Sequence, residues 1–192
     1  GSQHEWMQEN PSWFAQDAAG NFTERNGWDD VVDLNFDNAL MRIALIDAME
    51  YWVRHFNIDG FRCDMAHLVP LDFWIAARTK LQDSKTLYWL AECEDIAYHQ
   101  VFDTSYAWAL MHVSEKIAKG ELNINEVYNV LHGYSQYPTN ATKLLFTANH
   151  DENSWNGTEY EKYGAAAKAW AVFTQTWKGI PLIYSGQELP NL

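Results

Sequence analysis

Three carboxylates stand where apolar, strand-like runs give out: Asp64 in GFRCDMAH (Gly60 to His67), Glu92 in WLAECED (Trp89 to Asp95) and Asp151 in FTANHDENSW (Phe146 to Trp155). Acids delivered by separate strand ends are how a parallel α/β barrel assembles an active site. A pair of them is the minimal equipment for cleaving a glycosidic bond, one as nucleophile or base and one as proton donor. Arg62 lies two residues before Asp64, so on a strand both side chains face the same way. A guanidinium there favours the ionised carboxylate and fixes its orientation. Glu92 follows the apolar run Tyr88-Trp89-Leu90-Ala91, and burial raises a carboxyl pKa, which a general acid requires. His150 and Asp151 are adjacent, so the chain must turn if both are to serve one site. There an acid can bind sugar hydroxyls and stabilise an oxocarbenium-like transition state.

The elements that must carry these residues alternate. Helical spacing starts near Asp37, with Leu40, Ile43, Ala44, Met49, Trp52, Val53 and Phe56 on one stripe, Asp37 or Asn38 as cap and Asn57 as terminator. Ile58 to Asp64 reads as a buried strand, and Pro70 opens a helix facing inward through Leu71, Trp74, Ile75, Arg78 and Leu81. Strands are expected at Leu87 to Glu92, Val101 to Asp103, Leu144 to Ala148 and Ile180 to Tyr184. Helices are expected at Tyr106 to Lys119, Asn125 to Tyr134 and Tyr163 to Trp177. Strand and helix in turn give a parallel sheet with right-handed crossovers. Residues 1–32, rich in Trp, Asn, Gly and Asp, read as a long loop or the remnant of a subdomain, and 33–192 as the barrel portion. Five strands cannot close a barrel of eight, and open sheet edges invite self-association.

Composition narrows the partners. The 192 residues carry 13 Lys and Arg against 26 Asp and Glu, a formal charge of −13. That argues against nucleic acid, which needs a basic face, and against anionic membrane surfaces. No apolar run reaches the roughly 18 residues of a transmembrane helix, and no signal peptide is visible, which leaves the compartment unassigned. The 10 Trp, 10 Tyr and 9 Phe serve mostly as core, with some as flat platforms for sugar faces. The two cysteines, Cys63 and Cys93, each adjoin an acid. By strand alternation both should point away from the site as buried thiols.

The motifs in this order resemble the α-amylase family, glycoside hydrolase family 13. GFRCDMAH, WLAECED and FTANHDENSW resemble its fourth, fifth and seventh strand motifs. VVDLNFDN (Val31 to Asn38) resembles the approach to the third helix, and GIPLIYSGQE (Gly179 to Glu188) the eighth strand and its loop. The resemblance implies part of a (β/α)8 TIM barrel, about strands four to eight, without the upstream strands or the C-terminal β-sandwich. It implies Asp64 as nucleophile, Glu92 as general acid and base, and Asp151 as transition-state stabiliser. Arg62 and His150 match residues that hold the sugar, and His67, on the departing segment, is read either as a further sugar contact or as a simple loop histidine. The family's Lys-His pair after the nucleophile is replaced here by Met65-Ala66-His67, so the acceptor side differs. The implied substrate is an α-glucan such as starch or maltodextrin, cleaved with retention. A glucanotransferase or cyclomaltodextrinase uses the same acids, and an inactive fragment or sugar-binding homologue is the non-catalytic alternative. No cofactor is needed for the chemistry. Calcium is a further family expectation, with Asn and Asp residues around 21–38 as oxygen ligands but no spaced loop motif. A metal-dependent hydrolase built on Asp64, His67, Glu92, His150 and Asp151 is disfavoured by Arg62, which would point into a cation site.

Overall fold

Asn38 sets the start of the first long helix. Its side chain accepts the N–H groups of Leu40 and Met41, two of the donors every helix start leaves unpaired. The helix α2 (Ala39–Phe56) ends at Asn57, whose left-handed φ of 51° is the ordinary helix stop. A computed structural model describes residues 4–28 and 30–189. The chain forms two compact units, Gly1–Asp59 with Leu68–Leu87 and Gly60–His67 with Tyr88–Leu192.

In the first unit, a short helix α1 (Glu5–Glu9) precedes the antiparallel bridges Phe14 to Leu34 and Gln16 to Phe22. The stretch read as a long loop or the remnant of a subdomain therefore carries some order. Asp29 and the termini lie outside the described residues. Helix α2 buries Met41 and Val53, whereas Leu40, Ile43, Trp52 and Phe56 are exposed. Of the expected stripe, Val53 is buried and Ala44 and Met49 are partly so. The helix is apolar nearly all round, so periodicity alone does not select a face. Helix α3 (Leu71–Gln82) starts after Pro70 and buries Phe73, Trp74, Ala77 and Leu81, while Ile75 is exposed. Arg42 pairs with Asp72 at 2.7 Å, and Phe36 meets Phe73 edge-on.

The second unit contains the sheet. Five parallel strands lie side by side in chain order: β1 (Gly60–Cys63), β2 (Tyr88–Ala91), β3 (Thr104–Tyr106), β4 (Thr142–Leu145) and β5 (Ile180–Pro181). β3 lies three residues beyond the expected strand. Val101 and Phe102 still donate to the Tyr98 carbonyl and close a turn there, and Asp103 accepts the Trp89 N–H through its carboxylate at 2.8 Å. β4 begins two residues early, and β5 is confined to two residues. Helices α4 (Trp108–Ala118) and α5 (Asn125–Tyr134) follow their expected spans. The last expected helix, Tyr163 to Trp177, is α8 (Ala167–Thr176), and a further helix α7 (Glu159–Tyr163) precedes it, separated by the turn at Gly164, where φ is 51°. Thr158 and Glu161 form a capping box that starts α7, each satisfying a backbone donor near the other. Leu110, Val127, Leu145, Tyr163 and Trp170 form the main core cluster of this unit. β1 and β5 are the two ends of the sheet.

Candidate active site

Gly60 permits the pairing on which the site rests. A Cβ at this position would lie 2.1 Å from the Tyr88 carbonyl oxygen, so only glycine lets β1 lie this close to β2. Register then runs Gly60 to Tyr88 through Cys63 to Ala91. One residue further, Asp64 faces Glu92, and the Glu92 N–H donates to the Cys63 carbonyl at 3.0 Å. Neighbouring strands are spaced about 4.8 Å apart.

Arg62 ties the two acids together. One terminal nitrogen pairs with Asp64 and the other with Glu92 at 3.0 Å. Its Nε donates to the Tyr106 hydroxyl at 3.3 Å, and its guanidinium lies over the Tyr106 ring. Burial works against this cation, but its bonds to Tyr106 and Asp64 outweigh that and raise its pKa. The acids sit in unlike surroundings. The Asp64 side chain is 76% exposed and that of Glu92 is 6% exposed. Burial holds the Glu92 carboxyl above the usual carboxylate range and the charge of Asp64 adds to it, against the opposing Met65 N–H and Arg62. Unlike surroundings for two close carboxylates are how one is kept protonated and the other charged.

The turn after Asp64 is fixed by Glu92 itself. Met65 has a φ of 39°, uncommon for a residue with a side chain. Its N–H donates to Glu92 Oε2 at 2.9 Å, and the Ala66 N–H donates to the Glu92 carbonyl. His67 follows in a short 3-10 turn. With Met65, Glu92, Trp108 and His112 it lines a cavity of about 520 Å³. Cys63 and Cys93 are buried and unpaired, with thiols pushed by burial to about 12 and about 11. Cys93 borders the same cavity as Glu92, contrary to the expectation from alternation. The chain has left the strand after Ala91, so alternation no longer applies.

His150 and Asp151 open the short helix α6 (His150–Trp155), and the chain turns there as their adjacency requires. The buried Asn149 caps it by accepting the Glu152 N–H at 2.8 Å. His150 Nε2 lies 3.2 Å from Asp151 Oδ2, with both side chains half-exposed. Among the described residues, no hydrogen bond or ion pair joins either to Arg62, Asp64 or Glu92. The structure ties Arg62, Asp64 and Glu92 into one cluster, and pairs His150 with Asp151 at the start of α6.

Two further ion pairs of this unit have no signal in the sequence. Glu94 accepts the Tyr134 hydroxyl at 2.5 Å and the Ala109 N–H at 2.8 Å, and lies 3.5 Å from Lys143 Nζ. That ammonium stands 3.8 Å from the Tyr137 ring centroid and 4.5 Å from that of Tyr134. Burial lowers its pKa to about 8, although Glu94 opposes the shift. The second pair joins Lys162 of α7 to Glu152 of α6 at 2.7 Å.

Two carboxylates of the stretch 21–38, where calcium is expected, are engaged within the protein. Asp33 is paired with Arg25 at 2.8 Å, and Glu24 accepts the N–H groups of Asn26, Gly27 and Trp28. Among the described residues no three His, Cys, Asp or Glu side chains gather as metal ligands.

Residues 3–105 match the alpha amylase catalytic domain. Alpha-amylase MalA of Haloarcula japonica is 32% identical over 84% of this chain and 24% of its own length. Among solved structures, a noncanonic maltogenic alpha-amylase, AmyB of Thermotoga neapolitana, superposes with a TM-score of 0.87 at 35% identity, over 97% of this chain and 44% of that one. An alpha-amylase of Lactobacillus plantarum gives 0.86 at 31% identity, over 97% and 48%. The chain belongs to the α-amylase family. It spans about a quarter of the curated relative and under half of each solved amylase. Its sheet accordingly provides five strands of an amylase (β/α)8 barrel rather than a closed one. No helix among the described residues is long and apolar enough to cross a membrane.

Proposed function

We propose that this chain carries the catalytic acids of a retaining α-glucan hydrolase acting on starch, maltodextrin or a related α-glucoside. The observation that carries the reading is the single guanidinium of Arg62 shared by Asp64 and Glu92 at the carboxyl ends of adjacent strands. Retaining glycosidases keep their two carboxyls only about 5–5.5 Å apart, and inverting ones leave room for a water between them. Acids on one fork, one strand spacing apart, favour retention.

In the first step an Asp64 oxygen attacks the anomeric carbon and forms a glycosyl ester. Glu92 gives its proton to the departing glycosidic oxygen. In the second step Glu92, now a carboxylate, takes a proton from water, whose oxygen displaces Asp64. Burial of Glu92 supports its part, because the proton must be held until the leaving oxygen needs it. Asp151 stabilises the oxocarbenium-like transition state, and Arg62, His150 and His67 contact sugar hydroxyls. Names among the relatives, such as the cyclomaltodextrinase of Geobacillus thermopakistaniensis, support an α-glucan as substrate.

The test is reducing-sugar release from maltoheptaose by the complete gene product. Asp64→Asn and Glu92→Gln should each lower kcat by about 10²-fold or more, the usual contribution of such groups. Near-parental turnover in either variant would sink the assignment.

A further inference from the structure

A second hollow, of about 260 Å³, shares no lining residue with the cavity beside Glu92. Leu131, Tyr134, Tyr137 and Trp177 give it apolar and aromatic walls. Trp177 and Lys178 are exposed where it meets solvent, and Lys143 alone among its lining residues is buried. An apolar cavity of about 150 Å³ already takes up benzene, so this one has room for a single ring with a small substituent.

Lys143 is an unusual group to find at its base. An ammonium has three N–H donors and, when buried, needs acceptors for them. Here Ser105 Oγ accepts at 3.0 Å and Glu94 Oε1 lies at 3.5 Å. The remaining surroundings are ring faces, with the Tyr137 and Tyr134 centroids 3.8 and 4.5 Å from Nζ. Ser105 Oγ also meets His99 Nε2 at 2.9 Å, and His99 Nδ1 meets the Phe102 carbonyl at 3.0 Å. Burial lowers the His99 pKa, so the ring is neutral. A carbonyl only accepts, which puts the imidazole proton on Nδ1 and leaves Nε2 to accept the Ser105 hydroxyl. Ser105 is thereby fixed as an acceptor for the amine. The titratable groups around Nζ are Glu94, Cys93, His99, Tyr134 and Tyr137, and Glu94 is the only carboxylate among them. One long ion pair does not offset burial, and the amine titrates at about 8. Roughly a tenth of it is then neutral at pH 7, against under a thousandth of an ordinary lysine.

The counter-ion selects the chemistry. Acylation or carbamylation would remove the charge of the amine and leave Glu94 without its cation, which is costly away from solvent. Imine formation keeps the charge. We propose that Lys143 is an imine-forming amine and that the hollow takes a one-ring aromatic aldehyde, held against Tyr134, Tyr137 and Trp177. The neutral amine attacks the carbonyl carbon, the C–N bond forms, and the carbonyl oxygen leaves as water. Ammonium and aldehyde together give a protonated imine and one water, with the charge unchanged. The N–H that remains stays with Ser105 Oγ, and the cation stays beside Glu94. None of this depends on the roles of Asp64 and Glu92.

The experiment treats the complete gene product with limiting benzaldehyde and sodium cyanoborohydride at pH 7. The hydride donor reduces the imine to a stable benzylamine, and peptide mass spectrometry locates it. Formaldehyde, which needs no ring site, is the reference electrophile. The neutral fraction favours Lys143 over an ordinary lysine by more than about 100-fold, and its lower basicity returns about tenfold on the scale known for thiols. Benzylation of Lys143 should therefore start about 10-fold faster than that of the exposed lysines, Lys178 included. Trp177→Ala should slow it about 3- to 10-fold, the range for loss of one aromatic contact, and leave methylation of Lys143 by formaldehyde unchanged. Excess benzyl alcohol, which has the ring without the aldehyde, should slow benzylation of Lys143 and not of Lys178, and it carries the test if Trp177→Ala fails to fold. Labelling of Lys178 at or above the rate of Lys143 in the parental protein would overturn the proposal. Fast benzylation of Lys143 that neither Trp177→Ala nor benzyl alcohol slows would overturn the hollow as the site of the ring.

Discussion

Replacing Lys162 by Met tests whether the helix carrying Asp151 is anchored by a buried charge pair. Lys162 Nζ and Glu152 Oε2 are 2.7 Å apart, with side chains 2% and 9% exposed. Glu152 follows Asp151 in α6, and Lys162 lies in α7. Without the ammonium, the Glu152 carboxylate keeps one side-chain donor, Asn156 Nδ2 at 3.2 Å. Breaking a buried pair from one side costs about 3–5 kcal/mol, because the remaining charge is neither solvated nor paired. For a chain of this length about 1 kcal/mol moves Tm by 2–4 °C, so Lys162→Met should lower Tm by about 6–20 °C. Removing both charges, as Lys162→Met with Glu152→Leu, should recover most of the loss, since an apolar replacement of a whole buried pair is often neutral. Urea unfolding of the parent, both single variants and the double variant gives the coupling energy, expected at about 2 kcal/mol or more. A Lys162→Met loss below about 1 kcal/mol, or a double variant weaker than either single one, would refute the account of the anchor.

Gly60→Ala should disturb the pairing of β1 with β2, since its Cβ meets the Tyr88 backbone at 2.1 Å. Overpacking of this kind costs about 1–3 kcal/mol, and turnover should fall with stability because the two acids move apart. A variant with parental Tm and kcat would show that the strands have slack. Cys63 and Cys93, with thiols near 12 and 11 and both buried, should resist iodoacetamide at pH 8 in the folded protein and react fully in urea. Rapid alkylation of the native chain would contradict that packing.

Local chemistry made some elements legible. The caps at Asn38 and Asn57, the helix Asn125–Tyr134 and the five-strand count follow from short-range pattern. So does the cluster of Arg62 with Asp64, because two residues on one strand must share a face. β3 was hidden because Thr104-Ser105-Tyr106 is buried yet polar in composition, while the more apolar Val101-Phe102 beside it closes a turn. The buried face of α2 was illegible because apolar residues surround the helix. Lys162 with Glu152, and Lys143 with Glu94, join residues 10 and 49 apart. No periodicity links such partners, and only the folded chain sets one against the other.

The bond from Met65 to Glu92 gives the proton a second listener. A hydrogen bond to an ionised carboxylate is shorter and about twice as strong as one to a neutral group. Under the proposed cycle, Glu92 is neutral when substrate arrives and charged while the glycosyl ester waits for an acceptor. The left-handed turn at Met65 is then loosest at substrate entry and firmest during that wait. His67, two residues further on, follows the same turn and lines the cavity beside Glu92. Under that cycle the charge state of one carboxyl would set the firmness of the loop as well as the chemistry.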